Sequence, residues 1–337
     1  MNETRYGRKG KVSAMQLYIP FSHGVLAPSI EETLKESGMI NCIELPVIIE
    51  ESSIKRHAGV LCRLHNPQRE FNVDLSDSDF IDVIDALQPQ LLQCIEHVDA
   101  ISFHLGFTRI HQQRSASVIF ENAVSNINYL CRTLKKRILF ETPCYREKHM
   151  NTGIGDVFDA ITNPVFIRSV VGETECGFLL DIAHAFITGS TKEKLSGKSG
   201  YAREYFDELL MECAPGIEQI HINAPTMDSE GHYTDAHSPI EPAAQCRGGP
   251  RVRPYDLSRP PSPSLRAHEA LQTLSCSSSS SSCLHWPTVP TGCRILEMLT
   301  HTVRQSSNLT AITLEISSDS PHVFFQQAAL IRNIIKG

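Results

Sequence analysis

Apolar positions along this chain follow two alternating rhythms. Short unbroken runs read LCRLH (61–65), AISFH (100–104), RILFE (137–141), GFLLD (177–181), IEQIH (217–221) and LTAITLE (309–315). Each is a buried-strand signature of apolar and β-branched residues, closed by one His, Asp or Glu. QLYIPF, from Gln16, and NCIELPVI, from Asn41, bring the strand candidates to eight. Between them lie longer amphipathic stretches such as SDFIDVIDALQPQLLQCIEHV (78–98), VIFENAVSNINYLCRTLKK (118–136) and YAREYFDELLMECA (201–214). PHVFFQQAALIRNIIK (321–336) closes the chain in the same helical rhythm. Strand and helix alternating in this way predict parallel β/α units.

Eight such units predict an α/β fold of the (β/α)8 TIM-barrel type, whose active site lies at the carboxyl ends of the strands. A doubly wound open sheet would place its site at one switch point and has no need of polar residues ending six successive strands. A buried strand cannot leave a His, Asp or Glu unpaired without a large desolvation cost. Together with nearby loop positions, the strand ends supply nine donors: His65, His104, Glu141, Asp181, His184, His221, Asp235, His237 and Glu315.

Composition narrows the classes. The 337 residues are 41% hydrophobic, enough for a substantial core. A net charge of −7 gives no general electrostatic drive toward nucleic acid or anionic membrane. The eleven cysteines form no C-x-x-C pair and follow no secretory leader, so the expectation is buried thiols in a reducing, cytoplasmic setting. No stretch approaches the roughly 18 apolar residues of a membrane span.

Two segments break the rhythm. Residues 1–14 are basic and polar and read as a disordered tail ahead of a barrel domain over 15–337. From 242 to 292 the composition turns to Pro, Ser and Arg, including CSSSSSSC (276–283). That stretch reads as a disordered insertion after the seventh strand, or as a splicing or translation artefact, with helical pattern resuming at Cys293.

His and carboxylate donors without thiolate suit iron, zinc or manganese. Nine exceed what one ion coordinates, which implies two or three metals sharing bridging carboxylates. Glu141 and Glu315 are the expected bridges. Asp181-x-x-His184 is expected to leave a strand and enter a loop, and Asp235-x-His237 to aim two donors to one side of an extended loop. Glu44 is left open between the site and the barrel's polar filling, and Cys144 is read as a buried thiol beside the pocket. His23, His57, His97, His111 and His149 lack the strand-end setting and read as surface or loop residues. GSTKEKLSGKSG (189–200) reads as a solvated polar loop.

The stretches NPVFIRSVVGETECGFLLDIAHAFITG (163–189), QIHINAP (219–225), GHYTDAHSPI (231–240) and TLEIS (313–317) resemble the multinuclear non-heme iron-dependent oxidases, which include the methanobactin-maturation oxidase. The resemblance covers about 15–240 and 293–337. It implies a xylose isomerase-like TIM barrel, two or three irons on the nine residues, and oxidation of a peptide or small thiol or amide substrate by dioxygen. It also implies a partner protein that presents the substrate. Glu141, Asp181, His184 and Glu315 would carry the chemistry. Two departures stand out: His184 where many members have Asn, and ETPCY after Glu141. DIAHAFITG also resembles the matching strand of endonuclease IV, a three-zinc enzyme that cleaves DNA at abasic sites, which is the alternative that would bring a nucleic-acid partner. A third reading is a degenerate barrel acting only as a binding protein.

Overall fold

The computed structural model describes residues 16–20, 42–46, 61–67, 71–96, 98–106, 115–152, 155–241, 291–318 and 320–336. The expected tail over 1–14 lies outside them, as does the expected insertion through residue 290.

Strands β1 (Gln16–Pro20), β2 (Cys42–Pro46), β3 (Leu61–His65), β4 (Val98–His104), β5 (Arg137–Glu141), β6 (Gly177–Asp181), β7 (Ile217–Ile222) and β10 (Ala311–Leu314) close into one barrel. Every neighbouring pair is parallel, and β1 completes the ring by pairing with both β2 and β10. This is the (β/α)8 architecture that the eight runs predict. One hairpin was not anticipated: β8 (Ala224–Met227) and β9 (Tyr233–Ser238) pair antiparallel at the mouth, after β7. Its turn contains Gly231 at φ +78, a conformation that glycine adopts without strain.

Helices α1 (Phe80–Ile95), α2 (Ala116–Leu134), α3 (Gly155–Ile161), α4 (Pro164–Glu173), α5 (Ile182–Ser196), α6 (Tyr201–Cys213), α7 (Thr291–Gln305) and α8 (Pro321–Lys336) surround the ring among the described residues. Helix α7 begins two residues ahead of the expected resumption at Cys293, inside the range assigned to the insertion. Side-chain caps start several of them. Asn163 accepts from Val165 N with Pro164 in the first turn of α4, and Asp181 accepts from His184 N to start α5.

The expected polar loop over 189–200 is mostly helix, because α5 runs to Ser196 and ends at Gly197 with φ +65. Thr188, Gly189 and Thr191 are small enough to bury, so the segment packs although its Lys and Glu residues make it read as solvated. Gly189 lets α5 approach α6 closely: a Cβ there would sit 3.0 Å from Ala202 O.

Most apolar burial lies between ring and helices. Ile84, Leu87 and Leu91 of α1, Ile119, Ile127 and Leu130 of α2, and Phe103, Phe140 and Phe178 on the strands form one continuous cluster. Each such side chain contributes roughly 1.5–3 kcal/mol. Among the described residues, Ala100, Leu139 and Leu179 form a small separate apolar patch inside the barrel, on β4 to β6. On β2, β3, β7 and β10 the buried residues Glu44, Arg63, Gln219 and Thr313 are polar.

Candidate metal centre

Eight of the nine sequence-selected donors occupy strands, their ends or the hairpin, and His184 stands in the first turn of α5. His65, His104, Glu141 and Asp181 end β3 to β6, and His221 lies on β7. Glu315 follows β10, while Asp235 and His237 lie on β9. Two expectations change in form. Asp181 and His184 lie at a strand–helix junction rather than in a loop, because the Asp181 carboxylate accepts from His184 N at 2.8 Å and caps the helix. Asp235 and His237 lie on a paired strand rather than a loop. His237 adopts φ +49, and its carbonyl accepts from Ser317 N at 2.7 Å, which ties the hairpin to the end of β10.

Three donors form a tight triangle. His65 Nε2 and His104 Nε2 are 3.0 Å apart, and Glu141 Oε2 lies 3.6 and 3.5 Å from them. Ligand atoms around one ion with bonds of about 2.1 Å stand about 3 to 3.5 Å apart, so this spacing fits a single coordination sphere. The tautomer of His65 also fits. Ser102 Oγ donates to Leu64 O and therefore accepts from His65 Nδ1 at 2.8 Å, leaving the Nε2 lone pair facing the triangle. Burial and neighbouring His104 depress the His65 pKa to about 4, so the ring is neutral at pH 7.

Glu141 faces two ways. Its Oε1 is 3.1 Å from His184 Nδ1. The same nitrogen bonds Thr142 O at 3.0 Å, so it carries the proton, and His184 Nε2 faces Asp235 Oδ2 at 3.1 Å and Asp181 Oδ2 at 4.0 Å. Asp235 Oδ2 is also 3.1 Å from His237 Nε2. On the far side His221 Nδ1 lies 3.1 Å from Glu315 Oε2, and Glu315 Oε1 reaches toward His237 at 3.8 Å. Glu141 and Glu315, the two expected bridges, each lie between neighbouring groups, as Asp235 does between His184 and His237.

One participant was left undecided by the sequence. Glu44 on β2 is 1% exposed and places Oε1 2.9 Å from His221 Nε2 and 3.7 Å from His65 Nδ1. Its IELP setting does not end the apolar run, so the strand-end rule gave no signal. Asn223, two residues past His221, was missed; it is fully buried and its Nδ2 donates to Asp181 Oδ2 at 3.5 Å. Cys144 is buried beside the site and accepts from Arg146 Nε at 2.9 Å. His149, read as a surface or loop residue, is half-exposed and stacks on Phe158 with ring centroids 3.8 Å apart. His23, His57, His97 and His111 lie outside the described residues.

The electrostatics show what the cluster lacks. Burial and the nearby carboxylates of Asp235, Glu315 and Glu141 push the Asp181 carboxyl up to about 8, against the pull of His184. Burial opposes ionisation of the other carboxylates too, yet imidazoles hold them down: His221 and His237 lower Glu315 to about 2, and His184 and His237 lower Asp235. In return, and against burial, Asp235 and Glu315 raise His237 to about 9. Protons borrowed by imidazoles thus take the place of missing positive charge. Glu141 Oε2 and Asp235 Oδ1 are buried without a hydrogen-bond donor. Orphaned carboxylate oxygens facing imidazole nitrogens are satisfied by a cation. Among the described residues four overlapping trios bring ligand atoms within 4.8 Å: Glu44/His65/His221, His65/His104/Glu141, Glu141/Asp181/His184 and Asp181/His221/Glu315. A nitrogen and oxygen donor set of this kind fits iron, zinc or manganese.

Fold and site together define a (β/α)8 barrel with several His and carboxylate clusters at its mouth that could bind metal ions. Among solved structures, a D-tagatose 3-epimerase-like protein superposes with TM-score 0.54 at 13% identity, covering 96% of this chain and 97% of that chain. The similarity establishes the fold. The AsfvAP:AG structure superposes with TM-score 0.44 at 10% identity over 95% of this chain and 99% of that one. The dipeptide epimerase of Enterococcus faecalis V583 gives 0.28 at 10% identity over 62% and 47%. Neither of these two bears on function. No protein-family model and no curated protein sequence matches the chain. Among the described residues no helix is long and apolar enough to cross a membrane.

Proposed function

We propose that this chain is a multinuclear metalloenzyme, most simply an iron-dependent oxidase that acts with dioxygen on a peptide or small thiol or amide substrate. The observation that carries the multinuclear part is Glu141. Its Oε2 faces the His65/His104 pair and is buried with no donor, and the same carboxylate belongs to a second donor trio with Asp181 and His184, while Oε1 also accepts from His184 Nδ1–H. A carboxylate in that position serves as a bridge between two neighbouring cations.

The choice of iron and of oxidation rests on the donor chemistry and on the resemblance of 163–240. Bound iron would supply the electron transfer to dioxygen that side chains alone cannot provide. The protein's part is geometric. His65 and His184 are each held in one tautomer by Ser102 Oγ and Thr142 O, so their Nε2 atoms face inward without a rotational search. Glu315 and Asp235 hold the hairpin-borne His237 over the mouth, which limits access of water to a reacting substrate. Asp181 and His184 are tied to one backbone turn, so a shift of α5 would move both.

Anaerobic purification followed by elemental analysis, then dioxygen uptake with cysteine-bearing peptides, tests the proposal. More than one iron per chain with substrate-dependent uptake supports it. Three zincs with nicking of abasic DNA would instead favour the endonuclease reading, and absence of any metal would favour a binding protein.

A further inference from the structure

Behind His221 runs a buried polar chain that no metal position accounts for. Arg63, 5% exposed, donates from Nη1 to Gln219 Oε1 at 2.7 Å, and Gln219 is 1% exposed. Gln219 Nε2 in turn donates to Glu44 Oε2 and to Thr313 Oγ1 at 3.0 Å. Thr313 Oγ1 donates to the same Glu44 oxygen at 2.8 Å. The outer end of the chain is anchored where Arg63 meets Asp99 at 3.3 Å and Thr310 Oγ1 at 3.0 Å.

The donor inventory of these groups leaves little freedom. Arginine has only donors, so the Gln219 oxygen must face Arg63 and its amide nitrogen must face Glu44. Both N–H bonds of that amide are then committed, one to Glu44 and one to Thr313, and none is left for His221 Nε2 at 3.3 Å. Glu44 Oε2 therefore receives two donors, and Oε1 is fixed as an acceptor 2.9 Å from His221 Nε2. Two lone pairs at that distance would repel, so His221 Nε2 must carry a proton. Only Nδ1, 3.1 Å from Glu315 Oε2, is then free to bind a cation.

We propose that Arg63, Gln219, Thr313 and Glu44 form a positioning relay that fixes His221 as the Nε2–H tautomer and so directs Nδ1 to the Asp181/His221/Glu315 group. Glu44 is on this account an orienting carboxylate and not a ligand. The Glu44/His65/His221 trio, although compact, is not a metal position, because His221 Nε2 is already used. The inference deepens the multinuclear reading but does not depend on iron or on oxidation. Partners of this kind behind a ligating imidazole are worth about 10–100-fold in metal affinity.

Its test uses the full-length chain, labelled with 15N-histidine and loaded with zinc alone, which is diamagnetic and silent to redox. Long-range 1H–15N spectra should show His221 protonated at Nε2 and coordinated through Nδ1. Coordination through Nε2, with the proton on Nδ1, overturns the proposal. Gln219→Met keeps Glu44 in place but removes its hold. It should weaken one zinc position by about 10-fold, near the low end of that range, with the others unchanged. Unchanged zinc affinity in Gln219→Met would also overturn the relay, and the His221 spectrum separates an orienting Glu44 from a ligating one. Glu44→Gln should weaken the same position more, because the amide must turn its oxygen toward Gln219 and its N–H2 toward His221, inverting the tautomer. If the variants fail to fold, the wild-type spectrum decides by itself. If the wild type takes up no zinc, the functional reading fails separately, and the relay is read from the metal-free spectrum at a pH high enough to leave His221 a single proton: on Nε2 the relay stands, on Nδ1 it falls.

Discussion

Replacing Asp181 with Asn should reverse sign between the metal-free and metal-loaded protein. In the metal-free state burial and three neighbouring carboxylates raise the Asp181 pKa to about 8, from an ordinary 3.8. A folded pKa above the unfolded one means that the native state binds the extra proton. The group's contribution is fully retained below pH 3.8 and is lost as pH rises through 8. About four pKa units at 1.36 kcal/mol each set a ceiling on the order of 5 kcal/mol above pH 8, and relaxation will reduce it. Asn cannot ionise and is as good an N-cap as Asp, so the bond to His184 N survives. Its new N–H2 takes the place of Oδ2, which Asn223 Nδ2 faces at 3.5 Å, so the Asn223 amide must turn over to present its otherwise unpartnered Oδ1 as the acceptor. Urea unfolding at pH 8.5 with excess chelator should therefore show Asp181→Asn more stable than wild type by about 1–3 kcal/mol, as expected for removing an uncompensated buried charge. With metal present the order should invert, because the variant loses a ligand and the binding energy linked to it. A variant less stable than wild type under chelation, with the same pH slope, would refute the argument that carboxylate crowding is what a cation relieves.

Three further outcomes follow from the same structure. Glu141→Gln should lower metal content by more than one equivalent per chain, because the carboxylate belongs to two donor trios; a loss of one or none by elemental analysis would argue against bridging. His149, depressed to about 4 by burial and by Lys148 and Arg146, has a folded pKa below its unfolded 6.5, so stability should fall as pH drops from 6.5 toward 4. Discounted for its half exposure this is about 1 kcal/mol, and His149→Phe should remove that slope in acid unfolding curves. Gly189→Ala should cost about 1–3 kcal/mol in urea midpoint, since its Cβ would meet the Ala202 backbone at 3.0 and 3.1 Å.

The barrel was legible because parallel strands buried on both faces leave unbroken apolar runs, and because a polar residue ending such a run is conspicuous. His65, His104, Glu141 and Asp181 announced themselves that way. Glu44, Arg63 and Gln219 did not. They sit within strands, and the runs IELP, LCRLH and IEQIH read much the same whether such a residue points into the barrel or out of it. The mouth hairpin was missed for a different reason. APTM and YTDAHS are short and polar, because β9 is only half buried, so alternation carries no signal there although Asp-Ser-Glu-Gly marks the turn. Helix α5 was cut short by reading GSTKEKLS as solvated, whereas its small residues pack against α6 and Lys192 lies over the Tyr205 ring, paired with Asp159. What the runs could not convey was pairing between distant strands: that Glu141 sits between two groups is a fact of registers in the folded ring.

The central claim is that the mouth of this barrel holds more than one metal ion. Elemental analysis of protein purified without oxygen or chelator, referred to chain concentration by amino-acid analysis, measures it directly. The account predicts two to three equivalents per chain, predominantly iron, falling in Glu141→Gln. One equivalent or none in correctly folded protein, unaffected by Glu141→Gln, would contradict it.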